Sequence, residues 1–92
     1  MRSISRSELN KIGPTLTVYS RSWCHLCDEM ISGLRDLQSH HRFELEIVDV
    51  DSDPAFEGRY GELVPVLIAS GTELCHYRLD VGKVNDYLSE NR

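Results

Sequence analysis

Cys24 and Cys27 stand at a change of pattern in the chain. Before them, Leu16-Thr17-Val18-Tyr19 alternates in the manner of a strand; after them, Cys27, Met30, Ile31, Leu34 and Leu37 recur at helical spacing. The pair therefore opens a helix directly after a strand. On a first helical turn, side chains at i and i+3 share a face and lie within reach of each other. A disulfide can then close without backbone movement. The same helix start presents unpaired N–H groups and a partial positive charge. Both favour a thiolate at Cys24, lower its pKa and make it a better nucleophile near neutral pH. His25 adds a second, adjustable positive charge beside it. The local chemistry is that of a dithiol redox site.

The rest of the chain must build one small domain around that junction, because 92 residues supply a single core. A net charge of −5 argues against nucleic acid and anionic membrane surfaces as main partners. No segment approaches the ~18 apolar residues of a membrane span. The basic start, Met1-Arg2-Ser3-Ile4-Ser5-Arg6, continues into polar residues where a signal peptide needs an apolar stretch. The expectation is a cytoplasmic monomer. Three cysteines are an odd number and do not make a disulfide scaffold; in a reducing compartment a CxxC points to catalysis or to metal binding.

Residues 1–13 read as a weakly patterned arm closed by Gly13-Pro14, and residues 14–92 as the domain. The first strand is expected at Thr15–Tyr19 and the long helix from Cys24 to Gln38, with His40 and His41 at its negative end. Phe43 to Val50 alternates apolar with acidic residues, the pattern of a strand with one wetter face. Strand, helix and strand without a hairpin signal make a βαβ unit, so these two strands should be parallel. Asp53-Pro54 offers an N-cap and a proline at N1 for a short helix over Ala55–Tyr60, which Gly61 stops. Pro65-Val66-Leu67-Ile68-Ala69 is long enough for a buried strand, Ser70-Gly71 is a two-residue turn signal, and Glu73–Leu79 is the returning antiparallel strand. Asp80 caps a last helix whose Val81, Val84, Tyr87 and Leu88 share a face. The predicted order is βαβαββα: an α/β fold with a four-stranded mixed sheet and helices on both faces.

That order, a CxxC opening the first helix and an apolar X-Pro strand downstream together resemble the thioredoxin superfamily over roughly Thr15 to Leu88. Trp23-Cys24-x-x-Cys27, Val48-Asp49-Val50-Asp51, Tyr60-Gly61 and Val64-Pro65 look like thioredoxin. The short start and Arg21, three residues before Cys24, look more like glutaredoxin, and the whole chain is most similar to the short bacterial glutaredoxin-like proteins. The resemblance implies Cys24 as attacking thiolate, Cys27 as resolving thiol and a cis Val64-Pro65 bond beside the disulfide. It also implies that the Val64 backbone pairs with an extended substrate like an added strand. Three positions depart from the pattern. Val18 stands where thioredoxins carry a buried aspartate. Tyr77-Arg78-Leu79-Asp80 stands where glutaredoxins have a Gly-Gly pair that meets glutathione. Leu26 replaces the tyrosine common in the glutaredoxin CxxC. Arg21, Arg59, Val64 and Asp80 are the remaining candidate glutathione contacts.

The reading is a thiol–disulfide oxidoreductase with no bound cofactor. It acts on a disulfide-containing protein or a glutathionylated substrate, and glutathione or a reductase is its electron donor. The competing class is a non-catalytic thioredoxin-fold module that binds a partner through the groove beside Pro65. A structural zinc site needs two further ligands, and His25, His40, His41, Cys75 and His76 offer none at the usual paired spacing. Asp49-x-Asp51-x-Asp53 begins like a calcium loop, but Pro54 and Tyr60 occupy the places that need glycine and glutamate. Cys75 reads as a core cysteine, with a regulatory thiol as the alternative. Arg21 and Arg59 read either as anion contacts or as solvated surface, and Trp23 as a substrate platform or a core edge.

Overall fold

The computed structural model describes residues 13–90. The expected arm, residues 1–13, lies outside them except for Gly13. Strand β1 (Thr15–Ser20) buries every second residue, and its Leu16 and Val18 are the centre of the core. Helix α1 (His25–Leu37) lays Met30 and Leu34 on that face. Strand β2 (Glu44–Asp49) runs parallel to β1, with Thr15 opposite Glu44 and Ser20 opposite Asp49. A 3-10 turn (Val50–Ser52) leads into helix α2 (Pro54–Tyr60), where the Asp53 carboxylate accepts the Ala55 N–H at 2.8 Å as its cap. Strands β3 (Val66–Ala69) and β4 (Thr72–His76) form the hairpin, and helix α3 (Val81–Glu90) closes the described chain.

The sheet order is β2-β1-β3-β4, with β3 antiparallel to both of its neighbours. Leu16, Val18, Met30, Leu34, Phe43, Leu67, Ala69, Val84 and Leu88 form one cluster, so α1 and α3 cover one face. The opposite face carries Tyr19, which stacks on Tyr60 of α2 at 4.2 Å between centroids and tilts against Phe56 at 5.4 Å. Helices therefore lie on both faces, as the predicted order requires.

Two features differ from the sequence expectation by more than a residue at an element end. The last strand stops at His76, not Leu79: Tyr77 adopts φ 65°, and the Arg78 N–H turns back to the His76 carbonyl at 2.7 Å. A residue with positive φ leaves the pleat, whatever its side-chain propensity. On β2 the alternation is only half expressed: Ile47 lies opposite the core residue Val18, yet it is 43 % exposed because β2 is the edge strand of the sheet. The Ser70-Gly71 turn is as expected, with positive φ at both residues, which is the twist a two-residue hairpin needs.

Candidate functional site

The register brings three loops to one end of the sheet. Tyr19 pairs with Val66, so the loop leaving β1 (residues 21–24) emerges opposite the loop entering β3 (residues 61–65). Val66 in turn pairs with His76, and the Tyr77 N–H donates to the Pro65 carbonyl at 2.9 Å, which brings the β4–α3 loop to the same end. The candidate site residues from all three stretches thus meet at one edge.

Cys24 is the N-cap of α1, in an extended backbone conformation, and it is disulfide-bonded to Cys27 with the Cα atoms 5.2 Å apart. The Cys27 N–H donates to the Cys24 sulfur at 3.2 Å, so the sulfur occupies the place an N-cap oxygen takes in other helices. The two cysteines differ in access: Cys24 is half-buried, while Cys27 is 1 % exposed. Only the first sulfur can be approached from outside. His25 is exposed on the first turn. Trp23, at φ 62°, is fully exposed beside the disulfide, which removes the core-edge reading of this residue. The Val64–Pro65 peptide bond is cis; Pro65 is buried and Val64 half-buried. Val18 is fully buried in the core, so its position contributes no proton acceptor to the site.

The three charged side chains expected as glutathione contacts, Arg21, Arg59 and Asp80, have different surroundings. Arg21 donates through Nε and Nη2 to both oxygens of Asp51, each at 3.2 Å, through Nη2 to Glu57, and through Nη1 to the Gly61 carbonyl at 3.3 Å. Arg59 is exposed on α2, with its guanidinium carbon 5.9 Å from the Tyr60 ring centroid. Asp80 caps α3: its carboxylate accepts the Lys83 N–H at 3.0 Å and its carbonyl accepts the Val84 N–H at 3.1 Å. Arg21 and Asp80 therefore already have internal partners, and Arg59 stands apart over an aromatic ring.

Cys75 is half-buried against the core, accepts the Asp80 N–H at 3.5 Å, and burial pushes its thiol up from the ordinary value. Burial, with Tyr60 alongside, likewise pushes up the Tyr19 phenol. Among the described residues no three His, Cys, Asp or Glu side chains gather as a metal site, and no helix is long and apolar enough to cross a membrane. The sequence pattern did not single out Glu57, marked Gly61 as a helix stop and within the Tyr60-Gly61 match, and marked Tyr77 within the segment that replaces a Gly-Gly pair, none of them for these contacts. Tyr77 holds the turn before β3 through its N–H on Pro65 and its hydroxyl on the Glu62 carbonyl at 3.0 Å. These pairings span 12 to 40 residues of chain, and no local pattern announces them.

Known proteins agree with this arrangement. The family model described as "Glutaredoxin-like domain (DUF836)" matches residues 15–89. Protein Ne2328 from Nitrosomonas europaea is 40% identical over 96% of this chain and 99% of its own, with a TM-score of 0.76. Protein XcR50 from X. campestris is 34% identical over 82% of this chain and 96% of its own, with a TM-score of 0.66. An uncharacterized protein of Mycobacterium tuberculosis is 25% identical over 73% of this chain and 74% of its own. The fold alone is shared with a thioredoxin of Schistosoma mansoni, at a TM-score of 0.63 and 20% identity over 91% of this chain and 84% of that one. A family match spanning both cysteines, the X-Pro turn and all four strands leads to one conclusion: this chain belongs to the glutaredoxin-like domain family.

Proposed function

We propose that the protein is a thiol–disulfide oxidoreductase in which Cys24 attacks and Cys27 resolves. The observation that carries the reading is the asymmetry of the pair, with an approachable sulfur at the N-cap of α1 and a buried one a turn behind it. In the reduced protein, the Cys24 thiolate attacks one sulfur of a substrate disulfide. A Cys24–substrate mixed disulfide forms, and the other substrate sulfur leaves as a thiolate that takes a proton from water. The Cys27 thiol then loses its proton and attacks the Cys24 sulfur. The mixed bond breaks, the second substrate thiolate departs, and two electrons have passed to the substrate. Val18 offers no acceptor for the Cys27 proton and the Cys27 sulfur is buried, so we expect this second step to be the slower one. Two equivalents of glutathione, or the dithiol of a reductase, restore the reduced pair.

Trp23 serves as an apolar platform for the substrate, and the Val64 backbone pairs with an extended segment of it. The site has a weak grip on glutathione, because Arg21 and Asp80 are engaged internally. We therefore expect a dithiol enzyme that prefers protein disulfides.

The test is turnover of a protein disulfide and of a glutathionylated peptide, each with glutathione and with a thioredoxin reductase system. Cys24→Ser should abolish both activities. Cys27→Ser should lose most turnover on the protein disulfide and accumulate a mixed disulfide with it. Full activity of Cys27→Ser on the glutathionylated peptide would make the protein a functional glutaredoxin. Tight capture of one protein partner without turnover in any of the four assays would favour the non-catalytic binding module.

A further inference from the structure

Arg21 leaves the end of β1 three residues before Cys24, and its guanidinium reaches across to the other side of the site. Four hydrogen bonds engage it: two to Asp51, one to Glu57 and one to the Gly61 carbonyl. A guanidinium has five N–H donors in a rigid fork. With four committed, the fork cannot also grip an incoming carboxylate bidentately. Its partners are spread over the 3-10 turn, α2 and the residue that opens the turn to Val64–Pro65.

Gly61 carries a second, independent mark of the same arrangement. It is buried, and a Cβ there would collide with the Glu57 carboxylate and with the Glu57 carbonyl. The acid that meets Arg21 folds directly over the backbone that Arg21 also binds. By contrast, the residues between Arg21 and the helix, Ser22 and Trp23, are both exposed. Beyond the β1–β3 pairing that ends at Tyr19 and Val66, Arg21 joins the stretch before Cys24 to the residues that lead into the Pro65 turn.

From this geometry we infer that Arg21 is a positioning residue that ties the CxxC loop to the cis-proline turn, with Asp51, Glu57 and Gly61 as its anchor. It is not a receptor for an anionic substrate. The inference rests on the oxidoreductase reading for its kinetic consequence, but the tie itself is a property of the fold. Because its charged partners are half exposed, the tie contributes little to global stability. Its effect is on alignment, where a displacement of an ångström is enough to slow an in-line attack by one to two orders of magnitude.

The experiment uses the full chain with Arg21→Lys, Arg21→Met and Gly61→Ala, dithiothreitol as reductant, and two substrates: an uncharged peptide disulfide and a glutathionylated peptide. Gly61→Ala disturbs the anchor without removing any charge. The expected result is a fall of about tenfold in kcat on both substrates for all three variants, with the KM ratio of the two substrates unchanged. Amide exchange at residues 61–64 should also become faster than in the native protein, while α1 retains its protection. The inference is overturned if Arg21→Lys and Arg21→Met raise KM for the glutathionylated peptide alone while Gly61→Ala behaves as native. It is equally overturned if amide exchange at residues 61–64 is unchanged. Should the native protein turn over neither substrate, the oxidoreductase reading fails, and the exchange measurement alone still decides whether Arg21 holds the turn.

Discussion

Cys24 replaces the oxygen of an ordinary N-cap with sulfur, and its backbone partner is the N–H of the cysteine it is bonded to. On reduction that N–H, together with the partial positive charge of the helix end, remains to receive a thiolate. The Cys24 thiol should therefore titrate well below the ~8.5 of a free cysteine. Thiolate absorbance against pH in Cys27→Ser measures it, and an ordinary titration would leave no activated nucleophile. His25 is the next lever. As an imidazolium it favours the thiolate and hence the reduced form, which makes the protein more oxidising. His25→Pro should lower the reduction potential by some tens of millivolts, where about 30 mV corresponds to 1.4 kcal/mol for a two-electron couple. Equilibration against glutathione reads this directly; an unchanged potential would place the ring away from the sulfur.

Asp80 separates a structural role from a ligand role at the level of an element. It caps α3 through the Lys83 N–H, and it was also a candidate contact for glutathione. Loss of an Asp cap costs about 1 kcal/mol, in a range of roughly 0.5–2. Asp80→Ala should show that loss in urea unfolding and leave KM for a glutathionylated peptide unchanged. A large rise in KM at unaltered stability would reverse the assignment. The core beneath is less forgiving. Leu34 of α1 is fully buried between Leu16, Val18 and α3 residues in one cluster. Leu34→Ala should cost about 2–5 kcal/mol from lost transfer energy and the cavity left behind. Denaturant titration checks this, with a lower midpoint and an unchanged slope as the expected pattern.

Cys75 gives the whole molecule a pH dependence of known sign. Burial raises its thiol pKa in the folded state above the unfolded value. The unfolded chain therefore loses this proton first as pH rises, and stability falls from about the ordinary thiol pKa near 8.5 upward, until the folded group has also titrated. The Tyr19 phenol, raised in the same direction, extends the fall toward higher pH. Thermal unfolding with the Cys24–Cys27 disulfide kept oxidised should show Tm dropping above pH 8, and Cys75→Val should flatten the first part of that drop. An identical slope in the variant would assign the alkaline instability elsewhere. The same burial makes a regulatory role for Cys75 unfavourable, because the thiolate is the reactive species.

The periodicities were legible without coordinates. Alternation in Leu16–Tyr19, helical spacing from Cys27 to Leu37, the Asp53-Pro54 cap and the Ser70-Gly71 turn are local instructions, and all four are obeyed. The disulfide pairing follows from the same kind of local geometry, since Cys27 stands three positions after Cys24 at the start of α1. What tertiary structure alone decided is where the charges go. Arg21 finds Asp51, Glu57 and Gly61 thirty to forty residues away, because β1 and β3 are adjacent and α2 lies across the opposite face. Tyr77 ends a strand that its propensity would have continued, because its backbone turns to φ 65° and the Arg78 N–H bonds back to the His76 carbonyl. Hydrophobic pattern is written along the chain with the period of each element. The partners of a side chain at the end of a strand are set only when other strands arrive beside it.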